Sequence, residues 1–75
     1  MSLNACILIK TTPTQTDAVL EKARGMNGVR KAFVAYGRYD LVVFASATDY
    51  SSIRELTSTI NSVEGVRSTE TLVEA

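Results

Sequence analysis

The sequence contains no histidine and no tryptophan, and its 75 residues include one cysteine and one proline. A single cysteine excludes an internal disulfide, and one cysteine without histidine leaves no plausible set of zinc ligands. Histidine is also the side chain most often used as a general acid or base near neutral pH, so its absence weighs against acid–base catalysis. We therefore expect no catalytic residues, no metal and no cofactor.

The chain also lacks net charge and any long hydrophobic run. Eight basic residues balance eight acidic ones, which gives no indication of binding to nucleic acid or to an anionic membrane. The longest apolar run, residues 41–45, is far too short to span a bilayer, and the N-terminus does not resemble a signal peptide. We expect a cytoplasmic protein with no membrane partner.

The length predicts one small domain over residues 1–75. Chains of this size often depend on disulfides, metals or oligomerisation, because one small core stabilises a monomer only modestly. With the first two excluded, oligomerisation is the remaining source of stability. Cys6 lies in an apolar segment without a basic neighbour, so we expect a buried structural thiol.

Hydrophobic patterning predicts four strands, at residues 5–9, 30–36, 41–47 and 66–73. A first helix follows Pro13, with Thr14 as N-cap and Asp17 completing a capping box, and glycines 25 and 28 end it. Asp49 caps a second helix, which Gly65 stops. Its inward-facing positions are Ile53, Leu56, Ile60 and Val63.

The element order βαββαβ contains a faint internal repeat. Gly-Val-Arg at 28–30 returns as Gly-Val-Arg at 65–67, a shift of 37 residues, so the two βαβ halves are near copies. Right-handed crossovers then favour an α+β, ferredoxin-like sandwich with antiparallel strand order 4-1-3-2. The two central strands are also the two with unbroken apolar runs, as strands covered on both faces should be.

This topology places both helices on one face of the sheet. The other face would expose either Cys6 and Leu8 or Ile7 and Ile9, together with neighbours from the third strand. Four or five aliphatic side chains, each contributing ~1.5–3 kcal/mol when buried, form a patch that a soluble monomer rarely exposes. We therefore expect a sheet-to-sheet homodimer, resembling a dimeric α/β barrel.

Residues 35–40, Ala-Tyr-Gly-Arg-Tyr-Asp, include more aromatic and charged side chains than a turn requires. A turn between two strands needs only Gly, Asn or Asp. In a plain turn, Gly37 would supply a positive φ, Asp40 would bond local amides, and the tyrosines would pack on the sheet edge. In a binding loop, exposed amides with Arg38 and Asp40 could pair with both charged ends of a zwitterion. The pattern alone leaves both open.

Ser-Thr-Glu-Thr at 68–71 is a second polar cluster, on the last strand, although threonine is also an ordinary strand residue. Two motifs occur in order along the chain: Gly37-x-Tyr39-Asp40, which opens a strand, and then Gly65-Val66-x-x-Thr69-x-Thr71. With these motifs the sequence resembles the effector-binding domain of the Lrp/AsnC family of feast–famine regulators, often called the RAM domain. The resemblance spans nearly the whole chain. It implies dimers that assemble into rings, with small effectors, typically amino acids, bound between dimers.

The resemblance also implies the site residues. The hairpin would contribute ligand contacts, and the last strand of a neighbouring dimer would add hydroxyls. Gly37 would let backbone approach the ligand and Asp40 would meet an ammonium, whereas the motif position of Arg38 is variable. The full implied set is Tyr36, Gly37, Arg38, Tyr39, Asp40, Thr69 and Thr71.

One departure from the family pattern concerns DNA. Full-length members carry an N-terminal helix-turn-helix, whereas here Asn4 already opens the first strand. The chain therefore resembles a stand-alone RAM protein, which implies no direct DNA binding and suggests mixed assembly with a full-length regulator.

Two alternatives stay open. Small dimeric α+β-barrel enzymes, such as isomerases or cofactor-free monooxygenases, share the fold and the dimer, so fold alone does not decide. An ACT-type regulatory domain is the other, although its glycine-marked ligand loop would follow the first strand, where this chain has Thr11, Thr12 and Pro13.

Overall fold

A four-stranded antiparallel sheet with two helices on one side makes up the structure, a computed structural model that describes residues 2–74. The strands are β1 (Leu3–Thr11), β2 (Val29–Val34), β3 (Leu41–Ala47) and β4 (Val66–Val73). The helices are α1 (Thr16–Arg24), preceded by a 3-10 turn at Pro13–Gln15, and α2 (Tyr50–Asn61). The sheet order β2-β3-β1-β4 is the predicted 4-1-3-2 order written in reverse, so the ferredoxin-like fold is confirmed.

Two strands, β1 and β2, differ from the prediction at both ends. β1 extends beyond residues 5–9 in both directions because it pairs along its length with β3 on one side and β4 on the other. β2 ends at Val34, which pairs with Leu41, the first residue of β3. Ala35 and Tyr36, predicted as strand, therefore lie in the β2–β3 loop.

The predicted capping box at α1 is wrong. Pro13 opens a single 3-10 turn, and α1 begins only at Thr16, with Gln15 as an N-cap that makes no side-chain cap bond. Proline favours such a first turn because its φ is already helical and it has no N–H to satisfy. The predicted cap of α2 is confirmed, since the Asp49 carboxylate accepts a 2.8 Å hydrogen bond from the Ser52 amide. That bond lowers the pKa of Asp49.

The core lies between the sheet and the helices. Alternate residues of the central strands point into it, and Ile7, Ile9 and Val43 are fully buried there. On α2, Ile53 and Ile60 are buried as predicted and Leu56 is partly buried. Val63 is also partly buried, but its predicted place in the helix is wrong because α2 ends at Asn61. Among residues 2–74, no helix is long and apolar enough to cross a membrane.

In the described part of the chain, no helix covers the opposite face of the sheet, which we call the open face. Cys6 is paired with Phe44 on β3 and with Leu72 on β4, and directly opposed residues share a face. Because Ile7 and Ile9 are buried beneath the helices, the first of the two predicted alternatives, Cys6 with Leu8, is correct. Phe44 and Leu72 are 43% and 53% exposed. Cys6 was predicted as a buried thiol but is only half-buried, and this partial burial raises the pKa of its thiol.

Candidate functional site

The β2–β3 hairpin is fastened to the central strand by main-chain hydrogen bonds. The amide of Ala35 donates to the carbonyl of Asp40 (2.9 Å) and closes the loop, while the Asp40 amide donates to the carbonyl of Ile9 on β1 (2.9 Å). Gly37, at the tip, has φ = 138°, a conformation that side-chain-bearing residues rarely adopt. Its α-carbon faces open space, so backbone at the tip is accessible to a ligand.

Asp40 bonds to a distant residue rather than to a local turn amide. Its Oδ2 accepts a 2.8 Å hydrogen bond from the amide of Thr11, the last residue of β1, and lies 3.4 Å from the Thr11 hydroxyl. That hydroxyl is in turn 2.7 Å from the hydroxyl of Thr16 at the start of α1. The pairing of β1 with β3 stops at Ile9 and Leu41, so the Asp40 carboxylate supplies the acceptor that β3 no longer offers to Thr11.

The second carboxylate oxygen of Asp40 is available. Oδ1 makes no hydrogen bond within residues 2–74, and no unpaired polar side-chain atom in that part of the chain is buried, so Oδ1 is open to solvent. Asp40 is therefore a carboxylate held by one oxygen with the other free. A ligand cation at Oδ1 would meet an acceptor whose orientation is already set by Thr11.

Tyr39 makes a second contact between the hairpin and the sheet, at Glu70 on β4. Its hydroxyl donates a 2.5 Å hydrogen bond to Oε1 of Glu70 on β4, which brings the half-buried ring across β1 on the open face. The hydrogen bond to the carboxylate, together with some loss of solvent and the negative charge of Glu70, raises the pKa of Tyr39. Tyr39 therefore links the loop to the sheet surface predicted to form the dimer.

The remaining two hairpin side chains project outward. Tyr36 is 97% exposed, unlike in the plain-turn alternative, in which the tyrosines pack on the sheet edge. Arg38 is also exposed and has no ion-pair partner among residues 2–74. These two groups are free to meet another molecule.

Thr69 and Thr71 lie at a different place from the hairpin. Both face α2: the Thr69 hydroxyl donates to Oδ1 of Asn61 (3.0 Å), and the Thr71 hydroxyl is 3.1 Å from that of Thr57. Thr71 pairs with Ile7, two strands across from the hairpin and about three residues along, which separates it from Asp40 by roughly 14 Å. The structure brings the five hairpin residues together and leaves the two threonines apart from them in the same protomer.

Thr71 belongs to a groove between α2 and β4, with a volume of about 360 Å³, which we call the α2/β4 groove. Apart from Ile53, which was predicted to face the core, sequence patterns did not single out its α2 residues, although two rows at four-residue spacing, 50-54-58 and 53-57-61, mark one face of the helix. The groove is lined by Tyr50, Ile53, Arg54, Thr57, Ser58, Asn61, Thr71 and Val73.

A larger groove, of about 560 Å³, lies at the N-terminal end of α2 beside the loop that follows α1. Its polar lining is mostly hydroxyls and an amide, with Glu55 as the one charged group. Within residues 2–74, no group of three or more His, Cys, Asp or Glu side chains is arranged to hold a metal ion.

Comparisons with known proteins found a matching family model and several similar solved structures. A family model described as the Lrp/AsnC ligand binding domain matches residues 4–74. No curated protein matches the sequence. A solved structure from Thermus thermophilus has a TM-score of 0.94 and 28% identity, covering 97% of this chain and 92% of its own. A hypothetical protein from Pyrococcus horikoshii has a TM-score of 0.88 at 28% identity, covering 97% and 89%.

A third solved structure includes an amino acid. It is a feast or famine regulatory protein from M. tuberculosis complexed with L-methionine, with a TM-score of 0.81 at 19% identity. The match covers 96% of this chain and 49% of that one. At this level of identity the similarity shows a shared fold.

Proposed function

Because the chain belongs to the Lrp/AsnC ligand-binding domain family, we propose that it binds a free amino acid between the dimers of a homo-oligomer and acts as an effector-responsive module of a regulator. The single observation that carries the proposal is the hairpin, whose carboxylate has one oxygen bonded to Thr11 and the other free. The methionine bound by the structurally similar M. tuberculosis protein supports an amino acid as the ligand class.

The hairpin supplies groups suited to an amino acid's charged ends. Oδ1 of Asp40 pairs with the ammonium, a charge-assisted contact that contributes about 1.5–3 kcal/mol. The exposed backbone at Gly37 and the exposed ring of Tyr36 supply the other contacts of the hairpin with the ligand. Thr71 acts from a neighbouring dimer, since it lies too far from Asp40 to share a small ligand with it in one protomer. Thr69 faces α2 on the same strand and acts with it.

The open face supports the assembly. Phe44 and Leu72 are about half exposed there, beside Cys6, Leu8 and Val42. A second copy of the same sheet would bury these side chains in a symmetric, self-complementary interface. Tyr39 extends over the same face to Glu70, so the dimer surface and the effector hairpin share a residue.

We further propose that this chain does not bind duplex DNA by itself, and that it acts through assembly with a full-length family member. A net charge of zero supplies little of the phosphate neutralisation that gives DNA affinity. A mobility shift on duplex DNA at moderate salt is expected to show no complex. Tight, salt-sensitive binding by the purified chain would contradict this part of the proposal.

The rival function, a small dimeric enzyme, requires polar groups between the sheet and the helices. Among the described residues, the buried side chains in that layer are aliphatic apart from Thr11, whose hydroxyl pairs with Thr16. We therefore propose a non-enzymatic role.

Native mass spectrometry with each of the twenty L-amino acids tests the proposal directly, because it reports stoichiometry and bound ligand together. The expected result is an oligomer larger than a dimer that retains one amino acid per site. A species of 8.1 kDa with no ligand bound at any amino-acid concentration would refute both the assembly and the binding.

A further inference from the structure

The α2/β4 groove carries one charge, and that charge is positive. Among residues 2–74, Arg54 is the single cationic side chain that lines it, and no carboxylate does. Glu55 lies on the adjacent side of α2 but forms no ion pair with Arg54; within residues 2–74 the one salt bridge joins Arg24 to Glu21. The guanidinium is therefore free to bind an external anion.

The uncharged polar groups of the groove are also arranged as donors. The hydroxyls of Thr57 and Thr71 share one hydrogen bond, so one of their two hydrogens remains available. Asn61 uses its Oδ1 to accept from Thr69, and its amide NH₂ has no acceptor among the described residues. An oxygen-bearing anion would satisfy these donors, whereas a cation would not.

The size and floor of the groove indicate what kind of anion fits. Its volume of about 360 Å³ lies near the lower end of the range for small-molecule sites, roughly 300–1,000 Å³. Ile53, which is 1% exposed, and the half-buried Val73 form an apolar floor. A planar carboxylate attached to a small apolar body matches this combination, because Arg binds carboxylates through two parallel hydrogen bonds.

The groove and the hairpin cannot hold the same amino acid within one protomer. The ammonium and the carboxylate of an α-amino acid are attached to one carbon atom, whereas Asp40 and Thr71 of one chain are roughly 14 Å apart. A ligand that used both would have to lie between two copies of the chain, with the hairpin from one and the groove from the other.

We infer that the α2/β4 groove binds the carboxylate of the amino-acid effector, with Arg54 as its cationic partner, while the ammonium lies at Asp40 of another copy. This inference rests on the proposed function and deepens it, because it names the residue that recognises the second charged end. It also assigns that role to Arg54 rather than to Arg38, which is on the same exposed loop as Asp40.

The test is calorimetric titration of the wild-type oligomer with the twenty L-amino acids, followed by the strongest binder and its decarboxylated amine on the variants. Arg54→Gln is expected to lower the affinity for the amino acid at least tenfold and to leave the affinity for the amine unchanged. Arg67→Gln, which removes an exposed arginine of β4 outside the groove, is the matched control and is expected to bind as wild type.

Asn61→Asp provides a second variant that does not alter Arg54. It keeps the oxygen that accepts a hydrogen bond from Thr69 but places a negative charge in the groove. We therefore expect it to lower the affinity for the amino acid at least tenfold without lowering the affinity for the amine. Native mass spectrometry of both variants confirms that they keep the wild-type oligomer.

The outcomes separate the inference from the proposed function. If the wild-type chain binds no amino acid, both fail. If it binds one and neither Arg54→Gln nor Asn61→Asp changes the affinity, the groove assignment is overturned and the amino-acid site stands on the hairpin alone. Equal losses in Arg54→Gln and Arg67→Gln would also overturn it, as would displacement of the amino acid by inorganic phosphate at equal concentration, which indicates an unspecific anion site.

Discussion

Asp40 makes one structural hydrogen bond and has one proposed role in ligand binding, and two substitutions distinguish them. Its Oδ2 holds the end of β1 through the Thr11 amide, and its Oδ1 is free. Asp40→Asn keeps an oxygen that can accept from the Thr11 amide but removes the negative charge. Asp40→Ala removes both the acceptor and the charge.

The expected magnitudes follow from these contacts. Asp40→Ala deletes a hydrogen bond to a charged group, which contributes about 1.5–3 kcal/mol, and leaves the part-buried Thr11 amide without its partner. In a domain of this size, each 1 kcal/mol of destabilisation lowers Tm by about 4–8 °C. We therefore expect Asp40→Ala to lower Tm by about 10 °C, and Asp40→Asn to change it by much less.

Ligand binding is expected to follow a different order. If the Asp40 charge pairs with an ammonium, Asp40→Asn should lose at least tenfold in affinity although it remains folded. Calorimetry with the strongest-binding amino acid, alongside thermal melts at equal protomer concentration, measures both quantities. Wild-type affinity in Asp40→Asn would refute the ammonium contact, and wild-type stability in Asp40→Ala would refute the structural role of the bond to Thr11.

Three further predictions concern the open face, the hairpin and the glycine that precedes β4. Phe44→Glu places a carboxylate in the proposed dimer interface, so light scattering at micromolar concentration should show a smaller species; an unchanged mass would contradict the sheet-to-sheet dimer. Tyr39→Phe removes the hydroxyl that bonds to Glu70, so backbone amides in the hairpin should exchange hydrogen faster while those of the central strands do not; uniform exchange would indicate that the bond does not hold the loop. Gly65→Ala would place a Cβ 2.4 Å from a Gln15 carbon at a φ of +100°, and should destabilise the fold by more than about 1 kcal/mol. Gly25→Ala, where φ is −86° and the nearest atom lies at 3.7 Å, is the control and should not lower stability in a denaturant titration.

Much of the fold follows from local patterns in the sequence. The bounds of β4 were predicted at residues 66–73 and are observed there, because Gly65 before it and the strand-forming residues within it are local signals. Asp49 was predicted as a cap for the same reason, since a cap bonds only three residues along the chain. The strand order followed from the repeated βαβ unit and the handedness of its crossovers.

The tertiary structure decided what depends on distant pairing. Which side of β1 is open depends on register, because a one-residue shift exchanges the two faces of a strand, and both faces of this one are apolar. The partner of Asp40 lies 29 residues away at Thr11, and that of Tyr39 lies 31 residues away at Glu70, so neither bond has a local signal. The direction of Thr71 toward α2 was likewise set by packing. Which elements form, and in what order, depends on neighbouring residues and could be read from the sequence. Only the folded sheet brings Asp40 to Thr11, Tyr39 to Glu70 and α2 beside β4, because those contacts join distant parts of the chain.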